Sequence, residues 1–171
     1  MKISRIWAMP NKWTFTIKPI KELLSKYVYK GCWCDPFAGE NSPAQTKNDL
    51  SGKVEFCMDG LDFLKSRKRD EFYGLLYDPP YSIRQAKECY EGRGAELLKI
   101  KATSMEYWSK CKNNVSRIIM SGGIVICCGW NSMGIGKKRG FKMLEVLLVP
   151  HGGSKNDTIV TVERKITQDL F

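Results

Sequence analysis

The chain has 171 residues and is 43 % apolar, enough for one domain with a real core and too short for a comfortable second one. Its longest apolar runs, such as Ile124 to Cys128, are far too short to cross a bilayer, and Met1 to Trp7 shows no secretory signal, so a cytoplasmic protein without membrane association is expected. The net charge of +10 favours an anionic partner, most simply nucleic acid.

Lys18 to Val28 carries Ile20, Leu23, Leu24, Tyr27 and Val28 at helical spacing, with Pro19 in the first turn and Gly31 just past the end. Cys32-Trp33-Cys34-Asp35 reads as a short strand that turns at Pro36-Phe37-Ala38-Gly39. Lys53 to Phe56 reads as another strand, and Asp59 to Arg67 as a short helix with Leu61 and Leu64 inward. Phe72 to Tyr77 is a buried strand that runs into Asp78-Pro79-Pro80-Tyr81. Ser104 to Ile119 reads as an amphipathic helix with Met105, Trp108, Val115, Ile118 and Ile119 on one face, ended by Gly122-Gly123. Ile124 to Cys128 is a further buried strand, and Phe141 to Val149 with Thr158 to Glu163 reads as an antiparallel hairpin.

Strands alternating with helices, then a hairpin, imply an α/β layer with a mostly parallel sheet. Ligands of such sheets sit outside the carboxyl ends of the strands. Two loops stand there, Asp35 to Gly39 and Asp78 to Tyr81, and they flank one crevice if their strands are neighbours. In the second loop, two prolines stiffen the turn and remove two backbone donors, which leaves carbonyls to accept. Asp78 adds an acceptor and Tyr81 a ring on which a flat substrate can stack. Gly39 lets the backbone approach a ligand closely. The seven cysteines form no Cys-x-x-Cys pair and His151 is the single histidine, so reduced thiols and no metal site are expected.

The pair Asp35-Pro36-Phe37-Ala38-Gly39, then Asp78-Pro79-Pro80-Tyr81, resembles the two signature loops of S-adenosylmethionine-dependent DNA adenine N6-methyltransferases, in particular the compact enzymes of phages and mobile elements. The resemblance runs from about Trp7 to Glu163. It implies a Rossmann-like class I methyltransferase fold, α/β, with a mostly parallel seven-stranded sheet and an antiparallel strand near one edge. A single domain over residues 1–171 without a separate target-recognition domain is expected, and it departs from the sequence-specific members of that family, which usually carry a target-recognition region: only the 22 residues Ser82 to Thr103 follow Tyr81 before the next helix. Thr14 to Pro19 resembles the segment that closes over the cofactor's methionine end, which places Phe15 and Thr16 there. Asp49 resembles the carboxylate that takes the ribose hydroxyls, and Asp59 the acid that accepts from the cofactor's adenine amine. Each has a plainer alternative: Phe15 as core, Asp49 as a turn cap, Asp59 as a helix cap. With Asp35, Pro36, Phe37, Ala38, Gly39 and Asp78 they form the implied cofactor set. One departure is that Gly39 is followed by Glu40-Asn41-Ser42-Pro43 where the family often has a second glycine.

The implied reaction moves a methyl group from S-adenosylmethionine to adenine N6 in DNA, leaves S-adenosylhomocysteine, and needs no metal. Asp78, Pro79, Pro80 and Tyr81 are its implied catalytic residues. An RNA base methyltransferase and an inactive cofactor-binding module that binds nucleic acid or a partner are the alternatives. Specificity supplied by a protein partner or a homodimer, and a host cytoplasm for a phage-encoded chain, complete these expectations. For phosphate contact, Lys137, Lys138 and Arg139 are expected on the crevice side, followed by Arg84, Lys87 and Arg93, while Arg67-Lys68-Arg69 is expected at the far end of the sheet as a solvated face.

Overall fold

The computed structural model describes residues 1–80, 104–153 and 155–166. Its strands are β1 (Lys2–Arg5), β2 (Trp33–Asp35), β3 (Thr46–Lys47), β4 (Phe72–Tyr77), β5 (Ile119–Gly129), β6 (Phe141–Val149) and β7 (Thr158–Lys165). The helices are α1 (Lys18–Tyr27), α2 (Gly60–Ser66) and α3 (Met105–Ile118). The seven strands form one sheet in the order β1-β6-β7-β5-β4-β2-β3. Every pairing is parallel except those of β7, which runs antiparallel to both β5 and β6 and lies third from one edge.

Each face of the sheet carries its own core. On one side α1 presents Ile20, Leu23 and Leu24 to Trp33, Leu76, Ile126, Leu147 and Val160. On the other, α2 and α3 bring Leu61, Phe63, Leu64, Cys111, Val115 and Ile118 onto Phe72, Leu75, Val125 and Phe141. Burying one such side chain contributes about 1.5–3 kcal/mol, so these two layers hold the strand ends in place. Ser104 caps α3, its hydroxyl accepting from the amides of Glu106 (3.1 Å) and Tyr107 (3.3 Å).

Several expected elements differ in the structure. Lys53 to Phe56 is not a strand; only Phe56 makes a parallel bridge, to Asn48. The sheet reaches seven strands through β1 and β3, which carry no apolar run of their own. Met105 is 89 % exposed rather than inward, and Tyr107 and Cys111 take the core positions. Gly122-Gly123 does not end the helix. Ile118 passes straight into β5, whose register against β4 shifts between Phe72↔Ile119 and Gly74↔Ile124. Gly122 has φ +78° there, and a Cβ on Gly123 would stand 2.6 Å from the Tyr73 carbonyl, so the glycines serve an irregularity inside the strand.

Candidate active site

β2 and β4 are neighbours, paired Trp33↔Gly74 and Cys34↔Leu75, so the loops that follow them flank one crevice. Asp35 ends β2 and is fully buried. One carboxylate oxygen accepts from the Phe37 amide (3.0 Å) and the other from the Ser42 hydroxyl (2.6 Å), which fixes the course of the loop. Burial pushes its pKa up to about 7 against those two hydrogen bonds, and the charges of Asp78 and Asp49 push the same way.

A buried asparagine ties the loops together. The Asn48 side-chain amide donates to the carbonyls of Pro36 (2.9 Å) and Met58 (2.9 Å), and its oxygen accepts from the Met58 amide (3.1 Å). The Asn48 backbone carbonyl also accepts from Ala38 (2.9 Å). The loop after β2, the end of β3 and the entry to α2 are thereby one unit. Asp49 follows at the end of β3, half-buried, with one oxygen accepting from the Ser51 amide (2.7 Å).

Asp78 stands across the crevice at the end of β4. Burial pushes its carboxyl up to about 7, while a hydrogen bond from the Thr14 hydroxyl acts in the opposite sense. Thr14 begins a 3-10 turn over Thr14–Thr16 that leads into α1. The neighbouring expectations change accordingly. Phe15 belongs to the α1-side core, and Thr16 turns its hydroxyl back onto the Trp13 carbonyl (2.8 Å), so Thr14 is the residue of this segment that reaches the crevice. The Trp13 ring covers Gly39: a Cβ there would lie 3.1 Å from it. Phe37 points into the α2–α3 layer, edge-on to Tyr77 (5.5 Å between centroids) and tilted on Trp108 (5.9 Å). Pro36 and Ala38 are buried beneath the loop.

Asp59, expected at the cofactor, is spent on the fold. Its Oδ1 caps α2 by accepting from Leu61 (3.0 Å) and Asp62 (3.3 Å), and its Oδ2 accepts from the Tyr107 hydroxyl (2.8 Å). The helix-cap geometry expected as the alternative is present at this position. Glu40, just past Gly39, pairs with Lys53 at 2.7 Å on the exposed rim, and that ammonium holds its carboxyl below the usual range.

Beyond the ends of β4 and β5 lies a cleft of about 300 Å³, lined by Tyr77, Pro79, Pro80, Trp108, Trp130 and Asn131 among others. Trp130 sits on its rim at 41 % exposure. The Tyr77 hydroxyl is buried there without a hydrogen-bond partner. Thr14 opens the segment that the resemblance singles out and Asn48 precedes Asp49, but the hydrogen bonds each makes appear only when the loops are assembled.

The expected placement of Lys137, Lys138 and Arg139 is corrected. Glu163 in β7 accepts from the amides of Ile135 (2.5 Å) and Gly136 (3.0 Å), drawing the chain back along the sheet after β5. The 3-10 turn Lys137–Arg139 then lands at the start of β6, where Phe141 faces Lys165, at the end of the sheet opposite the crevice. Arg139 is also occupied, its guanidinium bonded to Asn113 (2.8 Å) and Ser109 (3.0 Å) of α3. Tyr81, Arg84, Lys87 and Arg93 lie outside the described residues. Among the described residues, no group of three or more His, Cys, Asp or Glu side chains is placed to hold a metal ion.

No protein-family model matches the sequence, and no curated protein does. Solved structures do. The chain is similar to the 1,6-didemethyltoxoflavin-N1-methyltransferase of Burkholderia thailandensis, a structure with bound S-adenosylhomocysteine, at a TM-score of 0.55 and 10 % identity over 85 % of this chain and 76 % of that one. It is similar to the N-methyltransferase NodS of Bradyrhizobium japonicum, in complex with S-adenosylhomocysteine, at 0.52 and 9 % identity over 91 % and 93 %. It is also similar to TrmN of Thermus thermophilus, at 0.55 and 16 % identity over 88 % of this chain and 49 % of that one, so it spans about half the length of TrmN. At these identities the likeness shows the fold: a Rossmann-like class I methyltransferase fold, as the sequence motifs imply.

Proposed function

We propose that this chain is an S-adenosylmethionine-dependent methyltransferase that modifies the N6 amine of adenine in DNA. One observation carries the reading: Asp78-Pro79-Pro80 ends a central strand and faces the Asp35–Gly39 loop across a shared crevice, on a fold that methyltransferases use. The crevice residues fit the cofactor chemically. Asp35, Asp49 and Asp78 make a negative wall that suits a cation, and a carboxylate such as Asp49 accepts both hydroxyls of a vicinal diol. Glycine at position 39 lets the Trp13 ring pack closely over the loop, where a Cβ would lie 3.1 Å from it.

When bound, S-adenosylmethionine supplies an electrophilic methyl group. The work of the protein is on the acceptor side. An adenine amine is a weak nucleophile because its lone pair is delocalised into the ring. The Asp78 carboxylate and the Pro79 carbonyl accept hydrogen bonds from the two amine protons and localise that lone pair on nitrogen. The amine nitrogen forms the new bond to carbon as the sulfur–carbon bond breaks, and one amine proton is then lost. A carboxylate whose pKa has risen to about 7 is a competent acceptor for it. Pro79 and Pro80 have no amide hydrogen and present a stiff edge to the cleft, and Tyr81 follows as the expected stacking ring. A base inside a duplex has to leave the stack to reach this position. Positioning and aimed acceptors supply the rate.

The test is methyl transfer by wild type and by Asp78→Asn, which keeps the shape and loses the charge. Loss of transfer to DNA with cofactor affinity within a few-fold of wild type supports the assignment. Normal turnover in Asp78→Asn overturns it.

A further inference from the structure

The two basic clusters that the sequence places 70 residues apart, Arg67-Lys68-Arg69 and Lys137-Lys138-Arg139, meet at one end of the sheet. The carboxyl end of α3 joins them. Arg117 donates to the carbonyls of Arg67 (2.8 Å) and Leu64 (2.8 Å), and its own carbonyl accepts from the Asp70 amide (3.0 Å). One residue earlier, the Ser116 hydroxyl donates to the Arg139 carbonyl (2.7 Å). Lys165 ties the same corner by donating to Asp70 (3.0 Å) and to the Ile119 carbonyl (2.5 Å). Both turns are therefore pinned by their backbones, and the second is bracketed by Gly136 (φ +99°) and Gly140 (φ +82°).

The arginines and lysines divide the labour. Arg117, Arg139 and Lys165 are used up inside the protein, and Arg67 lies over the rings of Phe56 (4.6 Å) and Phe63 (5.0 Å). Lys68, Arg69, Lys137 and Lys138 are exposed, and among the described residues none has a carboxylate at salt-bridge distance from its side chain. The acids of this corner are taken: Glu71 pairs with Arg67 and Asp70 with Lys165. The crevice is the reverse, walled by Asp35, Asp49 and Asp78. Among the described residues, a polyanion therefore meets unpaired cations at this end and carboxylates at the crevice.

We propose that this end of the sheet is a separate docking surface for the sugar-phosphate backbone of nucleic acid, built from Lys68, Arg69, Lys137 and Lys138. The 14-residue α3 spans the gap between crevice and surface, about 20 Å at 1.5 Å per residue. A duplex seated here is therefore a different stretch of backbone from the one that presents the acceptor base. Four cations on two fixed turns match a closely spaced row of phosphates, one charge per ~1.7 Å of duplex axis. Most exposed apolar side chains, which a lipid surface would require, are elsewhere: Ile3, Ile6, Trp7 and Met9 lie in and after the edge strand β1, Trp130 rims the cleft, and at this corner Ile166 is exposed beside Gly140.

The experiment measures binding of a labelled 30-base-pair duplex, without cofactor, by fluorescence anisotropy from 50 to 200 mM salt. It compares wild type with K68Q/R69Q, K137Q/K138Q and the quadruple combination. Each neutralised contact removes about 0.9 from the slope of log K against log salt, so the quadruple variant should lose about 3 to 4, and the affinity gap to wild type should shrink roughly 100-fold across that range. Each pair should lose about 2. A quadruple slope within one of wild type overturns the proposal, and so does a pair with no effect, because the two turns then do not form one surface. Vesicles containing about 30 % phosphatidylserine are the second arm. Loss of vesicle binding in the quadruple variant with an unchanged DNA slope assigns the surface to a membrane and also overturns it. Duplex binding is read without methyl transfer, so a null result in the transfer assay leaves this test standing, and the reverse holds too.

Discussion

Replacing Asn48 with alanine should undo the joint on which the crevice is built. Asn48 is 1 % exposed and makes three side-chain hydrogen bonds: two donated to the carbonyls of Pro36 and Met58 and one accepted from the Met58 amide. The truncation leaves three backbone groups, one buried and two part-buried, without these partners. At a net ~1 kcal/mol per bond the loss is about 3 kcal/mol, and more if water fails to enter. For a domain of this size each kcal/mol moves Tm by about 2–4 °C, so thermal unfolding should fall by roughly 6–12 °C. Asn48→Asp should fare no better, since its carboxylate keeps the bond from Met58 but faces two carbonyls. Because the loop after β2 and the entry to α2 then move independently, cofactor affinity measured by calorimetry should drop at least ~10-fold even below the melting range. A Tm within ~2 °C of wild type, or unchanged cofactor affinity, would refute the view that Asn48 sets the crevice.

Three further outcomes follow from the geometry. Thr14→Val removes a hydrogen bond that favours the charged form of Asp78, so the acid limb of the rate profile should move to higher pH, and Thr14→Ser should restore it; coincident profiles for all three proteins would exclude the contact. The raised pKa of Asp78 is also a stability statement: the folded carboxyl near 7 lies above its unfolded value, so its contribution is fully present below about pH 4 and is lost as pH rises through 7. Asp78→Asn should therefore gain more on wild type in urea unfolding at pH 8 than at pH 5, and an equal difference at both pH values would contradict this. Gly74→Ala should destabilise by about 1–3 kcal/mol, because the added Cβ falls on the buried Trp33 ring; a wild-type urea midpoint would show that the ring can yield.

β4 is legible because Phe72 to Tyr77 is an apolar run followed by Asp78 and a double proline, and α1 because Ile20, Leu23 and Leu24 recur at helical spacing and face the sheet. β1 was not legible. Lys-Ile-Ser-Arg buries almost nothing, and its strand character comes from pairing with β6. Gly122-Gly123 reads as a helix stop because glycine commonly ends helices; in the structure the helix runs into the strand without a turn, and the glycines absorb the register shift. The two aspartates at the crevice could be found from sequence, since each sits between a strand and a proline. The burial that brings both near 7 could not, because it depends on how the loops pack together, with the bonds from Ser42 and Thr14 acting against it. Asp59 suits both a cap and a ligand role in the sequence, and the bond it accepts from the Tyr107 hydroxyl, 48 residues away, is visible only in the fold. The crevice-side placement of Lys137–Arg139 assumed a loop that stays where its strand ends. The carboxylate of Glu163, far along the chain, is what draws it back.

The measurement that bears most directly on the account is transfer of radiolabelled methyl from S-adenosylmethionine to unmethylated DNA and, in parallel, to total RNA, with nucleoside analysis of the product and Asp78→Asn as control. The account predicts N6-methyladenine in DNA from wild type and none from the variant. Label confined to RNA, or transfer that survives Asp78→Asn, would contradict it.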